Sequence, residues 1–383
     1  MKNNMIEFIR DYYQTNDFIP LHEPRFNDRE EELVLSTIKS TFVSSVGKYV
    51  DDFEGGLKDY TNSTRAIAVV NGTSALYAAL YHCGVGINDV VITQALTFVA
   101  TANAVNQLNA DCAFVDVSKE TLGMCPNSLA EFLDSNAMLT EDGKCYLKNT
   151  GQQVKAVVPM HTFGHPVEID KITEICEKWR LNLVEDAAES LGSYYKGQHT
   201  GTFGRYGAIS FNGNKVITTG GGGAILCKSE NDGVELKHLT TTAKQPHAYK
   251  FFHDKSGFNL RMPNLNAALG CAQLEKLTKF VMNKRELAEK YEQLFLNSSY
   301  LFVKEPKESH SNYWLNAIIC EDTTQRDDFL EYTNKNGVMT RPVWELMIDL
   351  PMYKNCMAND LRNSRWLAQR LVNLPSSVSV DIL

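Results

Sequence analysis

Three stretches of the chain end in residues able to do chemistry, and each follows a run of apolar, β-branched residues. Val69-Val70 leads into Asn71-Gly72-Thr73-Ser74, after which a helical pattern begins. A glycine followed by two hydroxyl side chains at a helix start offers unpaired N–H donors, side-chain donors and the positive end of the helix dipole. That is a cup for phosphate, although Thr or Ser there also serves as a plain N-cap. The run Asn182 to Val184 ends in Glu185-Asp186-Ala187-Ala188-Glu189-Ser190, which places carboxylates where a strand gives way to a loop. A buried Asp needs a cation or good donors, so a permanent positive partner, a salt bridge or a helix cap must answer it. The run Ala208 to Phe211 leads through Asn212-Gly213-Asn214 to Lys215, with Gly220 to Gly223 close behind. Lysines are usually solvated. This one sits between two apolar strands, beside glycines that let backbone pass closely around a ligand. Burial favours the neutral amine, the nucleophile that condenses with aldehydes.

Taken together, a phosphate cup, a strand-end carboxylate and, 29 residues after Asp186, a nucleophilic lysine match the needs of pyridoxal phosphate (PLP). That cofactor carries a phosphate, a ring nitrogen that must stay protonated, and an aldehyde. Phe98, just past the strand at Val90 to Thr93, supplies an aromatic face for the ring; an aromatic at such a place also serves as simple core.

The elements that must position these residues alternate as strand, helix, strand. Strands are expected at Ala66 to Val70, Val90 to Thr93, Cys112 to Val117, Ala156 to Met160, Leu183 to Glu185, Ala208 to Phe211 and Ala224 to Cys227. Helical periodicity marks Arg29 to Thr41, Thr73 to Cys83, Ala100 to Leu108 and Ile169 to Arg180. The spacing predicts a large α/β domain built on a mostly parallel sheet, in which ligands sit at the carboxyl ends of strands. Beyond about residue 255 the pattern changes. A long helical region from Asn264 to Phe295, broken near Thr278, precedes a smaller α/β unit with a strand at Leu315 to Ile319, a helix from Arg326 to Asn334 and a strand at Val338 to Thr340. The expected division is residues 1–255 and 256–383.

Composition limits the alternatives. With 383 residues, 43% hydrophobic and 22% charged, the chain is an ordinary globular one. Its 38 Lys and Arg against 46 Asp and Glu give a net charge of −8, without the basic face that sequence-independent nucleic-acid binding requires. The nine cysteines are scattered, with no zinc or redox pair spacing, and read as reduced thiols of a cytoplasmic protein. No membrane segment is expected. His161 and His165 are four apart, but Gly164 and Pro166 make a turn rather than one helical face, so no metal site is expected; His161 reads as a residue close to the cofactor.

Five ordered motifs then carry a resemblance. Asn71-Gly72-Thr73-Ser74-Ala75-Leu76, Thr97-Phe98-Val99-Ala100-Thr101-Ala102-Asn103, Glu185-Asp186-Ala187-Ala188, Ser210-Phe211-Asn212-Gly213-Asn214-Lys215 and Gly257-Phe258-Asn259-Leu260-Arg261-Met262-Pro263 resemble the sugar aminotransferases of the DegT/StrS type. The likeness runs from about residue 18 to about 375 and implies the α/β fold of fold-type-I, aspartate-aminotransferase-like PLP enzymes. Thr218 to Gly223, Leu239 to Lys244, Asn264 to Gly270 and Thr340 to Trp344 are similar to one branch, the nucleotide-sugar 4-aminotransferases of legionaminic acid and bacillosamine synthesis. The implied substrate is a UDP- or GDP-linked 4-keto-6-deoxy sugar, N-acetylated at C2, with L-glutamate as amino donor, in the making of a bacterial surface glycan or nonulosonic acid.

The resemblance also implies roles. Lys215 would bond the aldehyde and shuttle the proton, and Asp186 would pair with the ring nitrogen. Gly72, Thr73, Ser74 and Ser210 would bind the phosphate, and Phe98 would stack on the ring. An asparagine at the place of Asn259 reaches the phosphate of a neighbouring subunit in relatives, which implies a homodimer with shared active sites. His161, Arg261 and Arg341 are candidates for substrate contacts, the two arginines for its anionic groups. Many relatives carry Gln at the position of Glu189, donating to the ring hydroxyl. A carboxylate there must be protonated, turned toward another donor, or bridged by water.

Other readings of the same chain differ in identifiable ways. A sugar dehydratase of this fold carries histidine in place of the lysine. A Rossmann dehydrogenase needs a G-x-G-x-x-G opening a helix, which is absent. A non-catalytic PLP-binding regulator would not need Lys215, Asp186 and the phosphate residues together.

Overall fold

The computed structural model describes residues 1–382. Its centre is a ten-stranded sheet whose main path runs Arg65–Val69, Gly223–Cys227, Tyr206–Ser210, Asn182–Asp186, Gln153–Val158, Val90–Gln94, Asp111–Val115 and Met357–Ala358. Along this path only Gly223–Cys227 runs against its neighbours; the pairs from Tyr206–Ser210 onward are parallel. The sheet is therefore mixed and mostly parallel. Its strands are buried along nearly their whole length, as expected of a sheet covered on both faces. One consequence matters for function: the strands ending at Val69, Gln94, Val158, Asp186 and Ser210 all finish on one edge, where Gly223 begins.

A second sheet of four strands, Leu301–Phe302, Asn316–Ile319, Leu371–Leu374 and Arg341–Pro342, is antiparallel throughout. Helix Asn264–Phe295 connects the two sheets. It is unbroken at Thr278, where the sequence suggested an interruption, because its buried stripe continues through Leu277, Phe280, Val281, Lys284, Leu287, Tyr291 and Phe295. One β-branched residue costs a few tenths of a kcal/mol in a helix, roughly, far less than that stripe gains. The strand expected at Val338 to Thr340 is only a single bridge, Val338 to Ile19, and the pairing with the second sheet begins at Arg341.

Helix Lys2–Tyr13 had no counterpart in the sequence reading. Its residues Met5, Ile6, Ile9 and Tyr13 share a core with Leu287, Tyr291, Phe329 and Leu374, so the start of the chain packs on the second sheet. Conversely, Met357–Ala358 returns from the C-terminal part to extend the large sheet beside Ala113 and Phe114. Among the described residues no helix is long and apolar enough to cross a membrane, and all nine cysteines are free thiols.

Candidate active site

The edge where the parallel strands end gathers most of the residues singled out in the sequence. Helix Gly72–His82 follows strand Arg65–Val69 directly, and its N-cap is Asn71, whose Oδ1 accepts the Ser74 N–H at 2.7 Å. With the cap supplied by Asn71, the hydroxyls of Thr73 and Ser74 are not needed for that purpose. The amides of Gly72 and Thr73, in the first turn, have no partner within the helix. Ser210 stands opposite, at the end of its own strand. A Cβ on Gly72 would lie 2.9 Å from Ser210 Cβ, and one on Gly223 would lie 2.5 Å from the Asn71 carbonyl carbon. Glycine at these two places lets three chain segments close up with backbone N–H groups and small hydroxyls at the opening. That donor set fits a phosphate.

The two neighbouring acids divide their work. Successive strand residues point to opposite faces. Glu185 is fully buried and accepts N–H donors from Gly201, Phe203 and Gly204 at 2.8 Å each. His161 Nε2 lies 3.0 Å from the same carboxylate, and His161 Nδ1 accepts the Val167 N–H at 3.2 Å. Since Nδ1 accepts, the ring proton sits on Nε2 and is donated to Glu185. His161 is thus 0% exposed with both nitrogens engaged, and the expected contact with substrate is corrected: this histidine pins the 201–204 loop through Glu185.

Asp186 is different. It accepts from the Thr101 hydroxyl at 2.6 Å and the Ala188 N–H at 3.2 Å, and no cation forms an ion pair with it among the described residues. Burial pushes its carboxyl upward, opposed by Thr101, Ala188, Lys215 and His161. A buried carboxylate lacking its cation fits the protonated ring nitrogen of PLP, so the residues present suit that group on both its phosphate and its ring side.

Lys215 closes the turn Asn212–Lys215, its N–H bonding to Asn212 O at 3.0 Å. Its side chain is 12% exposed, so the solvated-surface alternative does not hold. Nζ donates to Glu189 Oε1 at 3.3 Å and lies 3.8 Å from the centroid of the Trp314 ring. Glu189 accepts the Phe163 N–H on its other oxygen at 2.9 Å. Burial, opposed chiefly by Lys215, pushes the Glu189 carboxyl up to about 7. The carboxyl thus faces the Lys215 amine on one oxygen and the Phe163 amide on the other.

Phe98 caps helix Val99–Asn106 and is 47% exposed, with Trp344 tilted against it at 6.1 Å between centroids. Trp344 in turn meets Phe163 at 5.3 Å. Asn259 and Arg261 lie beside the first strand, where Val69 bridges to Arg261; Asn259 is exposed and its Oδ1 accepts from Arg261 Nε at 2.9 Å. Arg341 is exposed on the edge strand of the second sheet, without a side-chain partner among the described residues. Neither arginine is brought into contact with Lys215, Glu189 or Asp186. Two residues of the site had no role in the sequence reading. Thr101 lies within a quoted motif, four residues after Thr97 and hydrogen-bonded to it at 2.9 Å, and that i, i+4 pair of hydroxyls was the available signal. Trp314 gave none, coming from a segment nearly 100 residues beyond the lysine.

Comparison with known proteins agrees with this geometry. The model of the DegT/DnrJ/EryC1/StrS aminotransferase family matches residues 24–381. The GDP-perosamine synthase of Escherichia coli O157:H7 is 33% identical over 369 residues, covering 95% of this chain and 94% of that protein. The GDP-perosamine synthase of Vibrio cholerae is 32% identical, covering 94% of each. A crystal structure of a DegT DnrJ EryC1 StrS aminotransferase from Brucella abortus superposes with a TM-score of 0.82 at 25% identity, over 91% of this chain and 90% of that one.

Proposed function

The chain belongs to the DegT/DnrJ/EryC1/StrS aminotransferase family, a PLP-dependent family of sugar aminotransferases, and from that premise we propose that it converts the C4 ketone of a nucleotide-linked 4-keto-6-deoxy sugar to an amine, taking the amino group from L-glutamate. The observation that carries the reading is Lys215, held out of water at the same sheet edge as the Asp186 carboxylate and the Gly72–Ser74 cup. When bound, PLP supplies an aldehyde for the lysine and an electron sink for the proton transfer.

This chain's residues would then act as follows. The Gly72 and Thr73 amides with the Thr73, Ser74 and Ser210 hydroxyls bind the phosphate. Asp186, fixed by Thr101, holds the ring nitrogen in its protonated form. Phe98 covers one face of the ring. Once released, the Lys215 amine moves the proton at the reacting carbon, and Glu189 lies within reach of Nζ to take or return it. Arg261 and Arg341 offer cations to the substrate's anions.

The names of the E. coli and V. cholerae relatives favour a GDP-linked substrate, whereas the branch motifs favour a C2-acetamido sugar of legionaminic acid or bacillosamine type. Dimerisation is part of the proposal: Asn259 is exposed at the edge of the cup, and Phe42, Val43, Val46, Tyr249, Phe251 and Phe252 are exposed apolar residues that a second copy would cover. A cytoplasmic setting suits the free thiols and a nucleotide-sugar substrate.

The test is an amination assay with glutamate against GDP- and UDP-linked 4-keto sugars, with and without the acetamido group, reading 2-oxoglutarate formation and product stereochemistry. Turnover of one such sugar is expected. Loss of a sugar hydroxyl without 2-oxoglutarate would overturn the reading in favour of a dehydratase.

A further inference from the structure

Resting on the reading of Lys215 above, we propose that Trp314 is a positioning residue for this lysine: its indole face holds the free ammonium beside Glu189, and its N–H anchors the turn that carries the lysine. Two independent contacts support this. Nζ sits 3.8 Å above the ring centroid, and Trp314 Nε1 donates to Asn214 O at 2.6 Å, the residue immediately before Lys215. One side chain thus grips the lysine at its tip and at its root.

The grip is itself braced. Asn312 is fully buried; its Nδ2 donates to Glu189 O at 2.9 Å and Leu191 O at 2.8 Å, while its Oδ1 accepts the Trp314 N–H at 2.8 Å. One amide therefore ties the backbone of Glu189 to that of Trp314, the two residues that contact Nζ. A carboxylate on one side and an aromatic face on the other form a resting place for an ammonium. The lysine needs such a place, because in transamination its amine is displaced from the aldehyde and must return to the same spot. Trp314 belongs to the segment leading into the second sheet, whereas Lys215 and Glu189 belong to the large one, so the cradle spans both.

The experiment measures the amine in the apoprotein, apart from turnover. Reductive methylation with formaldehyde and cyanoborohydride is followed lysine by lysine by mass spectrometry. A graded series of fluorinated tryptophans at position 314 keeps the shape and the N–H but drains negative charge from the ring face. Labelling of Lys215 relative to the other lysines is expected to rise along the series, by about three- to tenfold at the tetrafluoro end. Trp314→Leu should raise it about tenfold or more, and Trp314→Phe, which keeps a ring face but loses the N–H to Asn214, should raise it by less than the leucine variant does. Because the fluorinated proteins keep the native shape, the test survives if the leucine variant fails to fold. A flat fluorine series overturns the inference. Borohydride reduction of the holoprotein followed by peptide mapping tests the underlying reading separately: a pyridoxyl group on another lysine sinks that reading, whereas a pyridoxyl group on Lys215 with flat labelling sinks only the role of Trp314.

Discussion

Replacing Glu189 by glutamine should make the apoprotein more stable at alkaline pH and leave it unchanged in acid. The side chain is 2% exposed, and its carboxyl rises from an ordinary 4.5 to about 7 because burial penalises the ionised form more than Lys215 and the Phe163 amide favour it. A group whose folded value is raised binds more protons when folded than unfolded between those two values. Stability from this group is therefore complete below about 4.5, declines through the interval and is lost above about 7. A shift from 4.5 to about 7, at roughly 1.36 kcal/mol per unit, corresponds to about 3 kcal/mol. For a chain of this length, with an unfolding entropy near 2.1 cal/mol/K per residue, that is about 4 °C in melting temperature.

Glutamine keeps the volume and the acceptor for the Phe163 N–H but has no proton to lose. Thermal melting of both proteins without cofactor, from about pH 4 to about pH 8.5, should show the two curves meeting at the acid end and the glutamine variant melting about 4 °C higher at the alkaline end. Equal separation at every pH would refute the reasoning, because it would mean that the carboxyl does not change protonation across the interval. A variant less stable at pH 8.5 would refute it more directly, by showing that the Lys215 contact outweighs desolvation.

Thr101→Val removes a 2.6 Å hydrogen bond to a buried carboxylate, and bonds to charged groups are worth about 1.5–3 kcal/mol, so PLP affinity measured by absorbance titration should fall about 10- to 100-fold. Gly223→Ala would place a methyl 2.5 Å from the Asn71 carbonyl carbon; a loss of at least about 2 kcal/mol in stability is expected by calorimetry, with weaker binding of inorganic phosphate by the apoprotein. His161→Gln loses the buried ring's hydrogen bonds to Glu185 and the Val167 amide and should cost about 1.5–3 kcal/mol in stability, with KM for the sugar unchanged in whatever fraction folds. Lys215→Ala should show only the absorbance of free PLP when PLP is added, without an imine band that borohydride fixes to the protein, and no turnover.

The strand-end motifs were legible because their chemistry is local. A phosphate cup is a few consecutive residues at a strand-to-helix junction, and Lys215 is marked by apolar strands on either side of its turn. The choice between Glu185 and Asp186 came from the family resemblance and not from the residues themselves. Both are buried, and what separates them is which face of one strand meets the 201–204 loop and which meets helix Val99–Asn106, a fact of packing between segments distant in sequence. The unbroken helix Asn264–Phe295 shows the same limit: its continuity is decided by the cores it bridges rather than by Thr278 itself. For His161 the sequence offered two readings, a residue close to the cofactor and a substrate contact, and only the packing of the Val167 amide and Glu185 on its two nitrogens removes the second.

The placement of Trp314 also bears on why this chemistry needs two sheets. Every group assigned to the cofactor lies on the large sheet's edge, which could by itself fix phosphate, ring nitrogen and lysine. An edge alone, however, leaves the lysine open to water on the side facing away from the sheet. Trp314 covers that side from the C-terminal part of the chain, and with Trp344 it meets Phe163, just past strand Gln153–Val158, in one aromatic wall. Excluding water there strengthens the attraction between Nζ and Glu189. Phe98 continues the wall by packing on Trp344, so the aromatic cover of the lysine depends on how the two sheets are held together.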